Sequence, residues 1–228
     1  MKCEKKNGLD DLSMDVIEGL CSPHLKDVTI DMAEMTLDVV LKNEALRSIP
    51  VVKTLLSIIE TTQNVSNYLF LKKIVAFLSN IKKVSAKKRK DMINKIDNSG
   101  EYKTKVGETL LNLLDKSDST EKAAYLGTWF TAFLKEKISY DLFLNGAHII
   151  NNIFLHDFEY FLLDDADWMM VEDAYQEIAA GLFYVDFTFA FWDVHRLIDG
   201  KQSRDDVYEA GAKITPIGHA LRSVLNPR

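Results

Sequence analysis

The chain has 228 residues, 47% of them hydrophobic and 27% charged, with 10 glycines, 4 prolines and 2 cysteines. Such a composition can bury a core without metal or disulfide staples, and it excludes disordered, collagenous and cysteine-framework classes. A net charge of −6 excludes polyanion binding through bulk basicity and leaves only local patches to consider.

Cys3 and Cys21 lack metal-ligand spacing and fit a reducing compartment. The opening MKCEKKNGLDDLSMD has lysines but no apolar run after them, so no secretory signal is legible. IPVVKTLLSII contains Lys53 and IAAGLFYVDFTFAFW contains Asp186, and both fall short of the roughly 18 apolar residues of a membrane span. The expected location is the cytoplasm.

In chain order, VTIDMAEMTLDVVLKNEAL places Ile30, Met32, Met35, Leu37, Val40 and Leu41 at helical spacing. Pro50 biases Ile49 away from the α region and suits the first turn of a helix over VVKTLLSII. TTQNVSN reads as a turn. Leu71, Ile74, Val75, Leu78 and Ile81 then line one face of the next helix. Ser85 is placed to cap SAKKRKDMINKI, Asn98-Ser99-Gly100 to end it, and Tyr102 to Leu114 forms a further helix.

Asp118 and Glu121 have capping-box spacing for a helix over 120–135. Ser139 caps the next, and HDFEYFLL continues to the acidic run Asp164, Asp165, Asp167. The spacing predicts a helix over 169–180 with Gly181 as its C′ residue. In LFYVDFTFAFW, Val185, Phe187, Phe189 and Phe191 alternate as in a strand, while Phe187, Phe191, Val194 and Ile198 fit a helix, so both readings stand. Ser203 and Asp206 form a capping box for RDDVYEA, Ala212 to Ile214 a short strand, and Thr215 with Pro216 the start of a closing helix whose inward stripe is Ile217, Leu221, Val224 and Leu225.

The fold expected from this reading is all-α (mainly α): a multi-helix bundle with a winged-helix-like C-terminal part and at most a short β-ribbon. The parts are 1–117 and 118–228, packed as one body. In a winged-helix arrangement the helix over 169–180 would face DNA, yet it carries Glu172, Asp173 and Glu177 and no Lys or Arg, so a polyanion is repelled.

Two stretches are candidate sites. Lys82, Lys83, Lys87, Lys88, Arg89 and Lys90 crowd the start of a helix, where exposed cations oppose the helix dipole by roughly 0.3–1 kcal/mol each, and they form the candidate polyanion-binding patch. Phe187, Phe189, Phe191 and Trp192 form the candidate partner-binding patch, since aromatics anchor interfaces. A solvated face and a buried core are the ordinary alternatives for the two stretches. Residues 49–78 are apolar enough to meet a membrane surface if the hairpin opened.

His148, His156 and Glu159 fall on neighbouring turns but lack the Glu-x-x-His pairs of a helical metal centre. Asp193, His195 and Asp199 have no accompanying nucleophile motif, and no Gly-rich nucleotide loop occurs. The residues thus point to no catalytic site, metal or cofactor. They point to a protein partner or a homo-oligomer, with nucleic acid second and transient membrane contact third.

The pieces SIPVVKTLLSI, YLFLKKIVAFL, EYKTKVGETLLNLLDKSDSTEKAAYLGTWFTAFL, ISYDLFLNGAHIINNIFL and ITPIGHALRSVL together resemble a group of uncharacterised all-helical bacterial proteins whose C-terminal part looks like a degraded winged helix. The resemblance covers the chain from about Ala45 onward. It implies an accessory protein of mobile or phage-defence regions, and it carries over no catalytic residue; the function expected for the chain is that of a non-catalytic adaptor, immunity or phage-defence accessory protein.

Overall fold

The computed structural model describes residues 8–28, 35–102, 105–187 and 211–226. Over these residues the chain is mainly α-helical with one small antiparallel sheet. Ile30, Met32, Phe189, Phe191, Trp192, Asp193, His195, Asp199 and the helix expected after Ser203 lie outside them. Two compact units are distinguished, Met1–Ala147 and His148–Arg228. The division therefore falls later than the 117/118 joint drawn from the sequence.

The first unit is built from helices α1 (Gly8–Cys21), α2 (Leu37–Lys42), α3 (Glu44–Arg47), α4 (Pro50–Thr62), α5 (Val65–Ile81), α6 (Ala86–Asp97), α7 (Val106–Lys116) and α8 (Thr120–Leu134). Helix α9 (Tyr140–Asn152) contains the boundary. Local chemistry sets most ends. Pro50 takes the first helical position after extended Ile49, and Ser85 accepts the Lys88 amide at 3.3 Å. Gln63, with φ 48°, ends α4, and Asn64 caps α5.

Leu71, Ile74, Val75, Leu78 and Ile81 are all buried, as the period-3.6 stripe predicts. Their helix α5 packs most extensively on α8. Gly127 permits this approach, since a Cβ there would lie 2.5 Å from the Phe77 carbonyl oxygen. Phe77, Phe130, Phe133, Tyr140 and Phe143 form a chain of ring contacts with centroids 5.1 to 5.8 Å apart. This cluster joins α8 and the start of α9 to α5, which is why 118–147 belongs with the first unit.

One cap differs from the expected one. Ser119, not Asp118, accepts the Lys122 amide at 3.1 Å, and Asp118 instead pairs with Lys122 Nζ at 2.8 Å.

The second unit contains α10 (Leu155–Leu163), β1 (Trp168–Met170), a 3-10 turn (Val171–Asp173), α11 (Tyr175–Ala180), β2 (Phe183–Asp186), β3 (Gly211–Ile214) and α12 (Pro216–Leu225). The sheet order is β1-β3-β2, antiparallel throughout. The single helix expected over 169–180 is thus a strand, a turn and one short helix. Pairing of Trp168–Met170 with residues far along the chain overrides the local helical period. Gly181, with φ 86°, ends α11 as its C′ residue.

Helix α12 begins as expected. Thr215 Oγ1 accepts the Gly218 amide at 3.0 Å, and Pro216 follows in the first turn. Leu221 is fully buried. Polar bonds complete the fastening: Arg222 Nε donates to the Phe161 carbonyl at 3.2 Å, its Nη1 to the Ala166 carbonyl at 3.1 Å, and Asn226 Nδ2 to the Leu162 carbonyl at 2.8 Å.

Candidate functional site

The structure divides the basic stretch. Arg89 is buried and does not belong to a surface patch: its guanidinium donates to the carbonyls of Leu20 (2.5 Å), Ser22 (2.6 Å) and Val84. A planar fork with five donors can join the end of α1 to the α5–α6 turn in this way, and a single ammonium cannot. Burial pushes the Arg89 pKa down.

Lys82 Nζ donates to the Val28 carbonyl at 2.9 Å, and Lys88 pairs with Glu136 at 2.6 Å, holding the Glu136 carboxyl below its ordinary range. Lys83 in the turn before α6 and Lys87 and Lys90 in its first turns remain exposed. These three lysines, one ahead of the helix and two in it, are a smaller polyanion site than the sequence led us to expect.

The partner-binding candidates are represented by Phe187, which is 69% exposed; Phe189, Phe191 and Trp192 lie outside the described residues. Phe187 follows β2 directly, and the sheet it leaves is one-sided. Directly paired residues point to the same face of a sheet. The register therefore puts Phe183, Ala212 and Ile214 on one face, all buried, together with half-buried Met169 and Val185. The opposite face carries Trp168, Lys213 and Tyr184 in one row and Met170, Gly211 and Asp186 in the next. Trp168, Lys213 and Tyr184 are exposed.

The Trp168 indole lies over Gly211, where a Cβ would overlap Nε1 and stand 2.8 Å from Cε2. Glycine thus admits the ring against the strand backbone.

The chain matches no family model, no curated protein and no solved structure.

Residues 148–228 contain 14 Asp and Glu against 6 Lys and Arg, a net −8, whereas residues 1–147 contain 20 against 22, a net +2, together the −6 of the whole chain. The second unit also exposes Phe154, Tyr160, Leu163 and Tyr175 in addition to the sheet aromatics. The buried Glu177 on α11 feels this acidity. Burial pushes its carboxyl pKa up from the ordinary 4.5, and Asp157 and Asp164 add to the rise.

Other concavities have mixed linings. An open groove of about 550 Å³ beside α4 is edged by Arg47, Lys53, Glu44 and Glu60. A smaller one of about 290 Å³ lies where Asp167 stands 3.7 Å from His219 Nδ1 and 3.6 Å from Arg222. Among the described residues no three His, Cys, Asp or Glu side chains are grouped to hold a metal ion, so His148, His156 and Glu159 do not converge on one. No described helix is long and apolar enough to cross a membrane.

Tyr184 belongs to the aromatic run that the sequence already marks, but sequence reasoning missed Trp168, Gly211 and Lys213 as its neighbours. β1 is too short for its alternation to register, and only the pairing brings these residues together.

Proposed function

We propose that this chain is a non-catalytic interaction protein that docks a protein partner through its 148–228 unit. The observation that carries the reading is the concentration of exposed large apolar side chains there. Phe154, Tyr160, Leu163, Tyr175, Tyr184 and Phe187 are each 44% exposed or more, within a unit of net −8. Large aromatic side chains left exposed in this number are available as anchors for an interface.

The order helix, strand, turn, helix, strand, strand, with sheet order β1-β3-β2, supports a winged-helix-like module. The helix before β2 in such a module is here α11. With Glu172, Asp173 and Glu177 in or just before it, it is better suited to a protein than to DNA. The resemblance in the sequence would place the protein among bacterial accessory proteins of mobile or phage-defence regions, and docking of this kind suits an adaptor, immunity or defence component.

The nucleic-acid reading draws on Lys83, Lys87 and Lys90 alone once Arg89, Lys82 and Lys88 are otherwise engaged. The membrane reading requires residues 49–78 to leave a core in which Val51, Leu55, Ile59, Leu71, Ile74 and Phe77 are buried, at roughly 1.5–3 kcal/mol for each large side chain.

The test is quantitative affinity capture with the tagged full chain and its Phe187→Asp variant. Proteins held by the wild type and lost by a folded variant support docking through this unit. An identical set from both would count against it.

A further inference from the structure

We propose that the outer face of α4 is the contact through which two copies of this chain associate about a two-fold axis. This contact belongs to residues 1–147 and does not depend on docking through the second unit. Lys53, Ser57 and Glu60 stand at i, i+4 and i+7, so they share one stripe of the helix. All three are exposed. Val52, Leu55, Leu56 and Ile59 are buried, which leaves the stripe on the side of α4 turned to solvent.

Two concavities flank the stripe. One, of about 550 Å³, is edged by Glu44 and Arg47 of α3, and the other, of about 560 Å³, by Asp15 of α1 and by Ile58. Lys53 and Ser57 line both, so they form the ridge between them. A ridge with a groove on either side packs against a second helix of the same form. Ser57, small and at the middle of the ridge, lets two such helices approach closely.

Charge specifies which helix that is. The Asp15 carboxylate already accepts the Thr54 hydroxyl at 2.7 Å, but among the described residues Glu44, Arg47, Lys53 and Glu60 have no ion pair. Two cations and two carboxylates sum to zero, so the groove favours neither a polyanion nor a basic peptide. What it complements is its own arrangement turned by 180°. With the axis beside Ser57, antiparallel copies of α4 set Lys53 of each against Glu60 of the other. Lys53 is four residues before Ser57 and Glu60 three after it, about 6 and 4.5 Å along the helix, and a lysine side chain spans the difference. Such a contact is isologous and closes at two copies. The net +2 of residues 1–147 tolerates a second copy, whereas two units of −8 repel each other.

Sedimentation velocity of the full chain from about 1 to 100 μM should show a monomer–dimer equilibrium. Lys53→Glu and Glu60→Lys each place like charges opposite one another twice per dimer, so each should weaken association at least about tenfold with the melting temperature retained. Mixing the two variants in equal amounts should recover the dimer, because each supplies the sign the other lacks.

A monomer over the whole range overturns the proposal, as does a dimer that both variants retain or an equal mixture of them that stays monomeric. Loss of the dimer in Phe187→Asp with Lys53→Glu unaffected also overturns it and assigns self-association to the 148–228 unit.

Discussion

Arg89 shows how one buried side chain decides between two readings of a basic run. Five of the six cations in the stretch from Lys82 to Lys90 keep some exposure, but Arg89 faces inward and satisfies three carbonyls at once. Charge-assisted bonds to backbone oxygens contribute more than neutral ones, and deleting the donor leaves the acceptors buried and unsatisfied. Arg89→Leu should therefore cost on the order of 3 kcal/mol or more in urea unfolding, and Arg89→Lys should recover only part of it. Lys87→Ala, at an exposed position, should stay within about 0.5 kcal/mol of wild type. A phosphate-binding role shared by the whole run would instead leave stability untouched in both. Glu177 gives a second test at this scale. Its folded pKa is raised, so the native state binds the proton more tightly than the unfolded chain does, and stability falls as pH rises from the ordinary 4.5 through the raised value. Glu177→Gln should melt higher than wild type at neutral pH, with the gap closing below about pH 4.5. A constant gap across pH would show that the carboxyl does not titrate with folding.

At the scale of elements, the ends of helices were legible because they are local. Pro50, Ser85, Ser139, Gly181 and Thr215 each act within four residues of the helix they start or stop. Thr215 also donates its hydroxyl toward the carbonyls of Gly181 and Leu182 at 2.9 and 3.0 Å, so it ties α12 to the turn that leads from α11 into β2. Thr215→Ala should cost about 1–2 kcal/mol, and Thr215→Ser should keep most of it. Equal losses in the two variants would mean that the methyl group, not the cap, is what matters. The stretch 169–180 was illegible for the opposite reason. Its apolar spacing suits a helix, and the strand exists because Trp168, Met169 and Met170 meet Lys213, Ala212 and Gly211 across more than forty positions of chain. The same distance hid the candidate site. Phe187 could be chosen as an aromatic near a strand, but nothing local marks Trp168 as lying over Gly211. Among the described residues the expected cap differs at Ser119, where two adjacent residues could both accept an amide and Asp118 is instead paired with Lys122.

At the scale of the molecule, the uneven charge matters more than the modest total. A net −6 describes neither part: residues 148–228 hold −8 and residues 1–147 hold +2. Charges farther apart than a Debye length, about 8 Å at physiological salt, are screened from one another, so an approaching partner responds to the unit it nears and not to the sum. A basic partner docking on the second unit should be steered, and steering acts on the encounter rate far more than on the lifetime of the complex. Raising ionic strength from about 50 to 500 mM should therefore slow association with a partner captured by the wild type by roughly tenfold while dissociation changes little. Phe187→Asp separates the contributions in the same measurement. It adds a negative charge, which favours steering, and removes an exposed aromatic anchor, so association should hold or rise while dissociation accelerates at every salt concentration. Were association to collapse in that variant with dissociation unchanged, Phe187 would be guiding the encounter rather than anchoring the complex, and the apolar basis of the interface would have to be given up in favour of an electrostatic one.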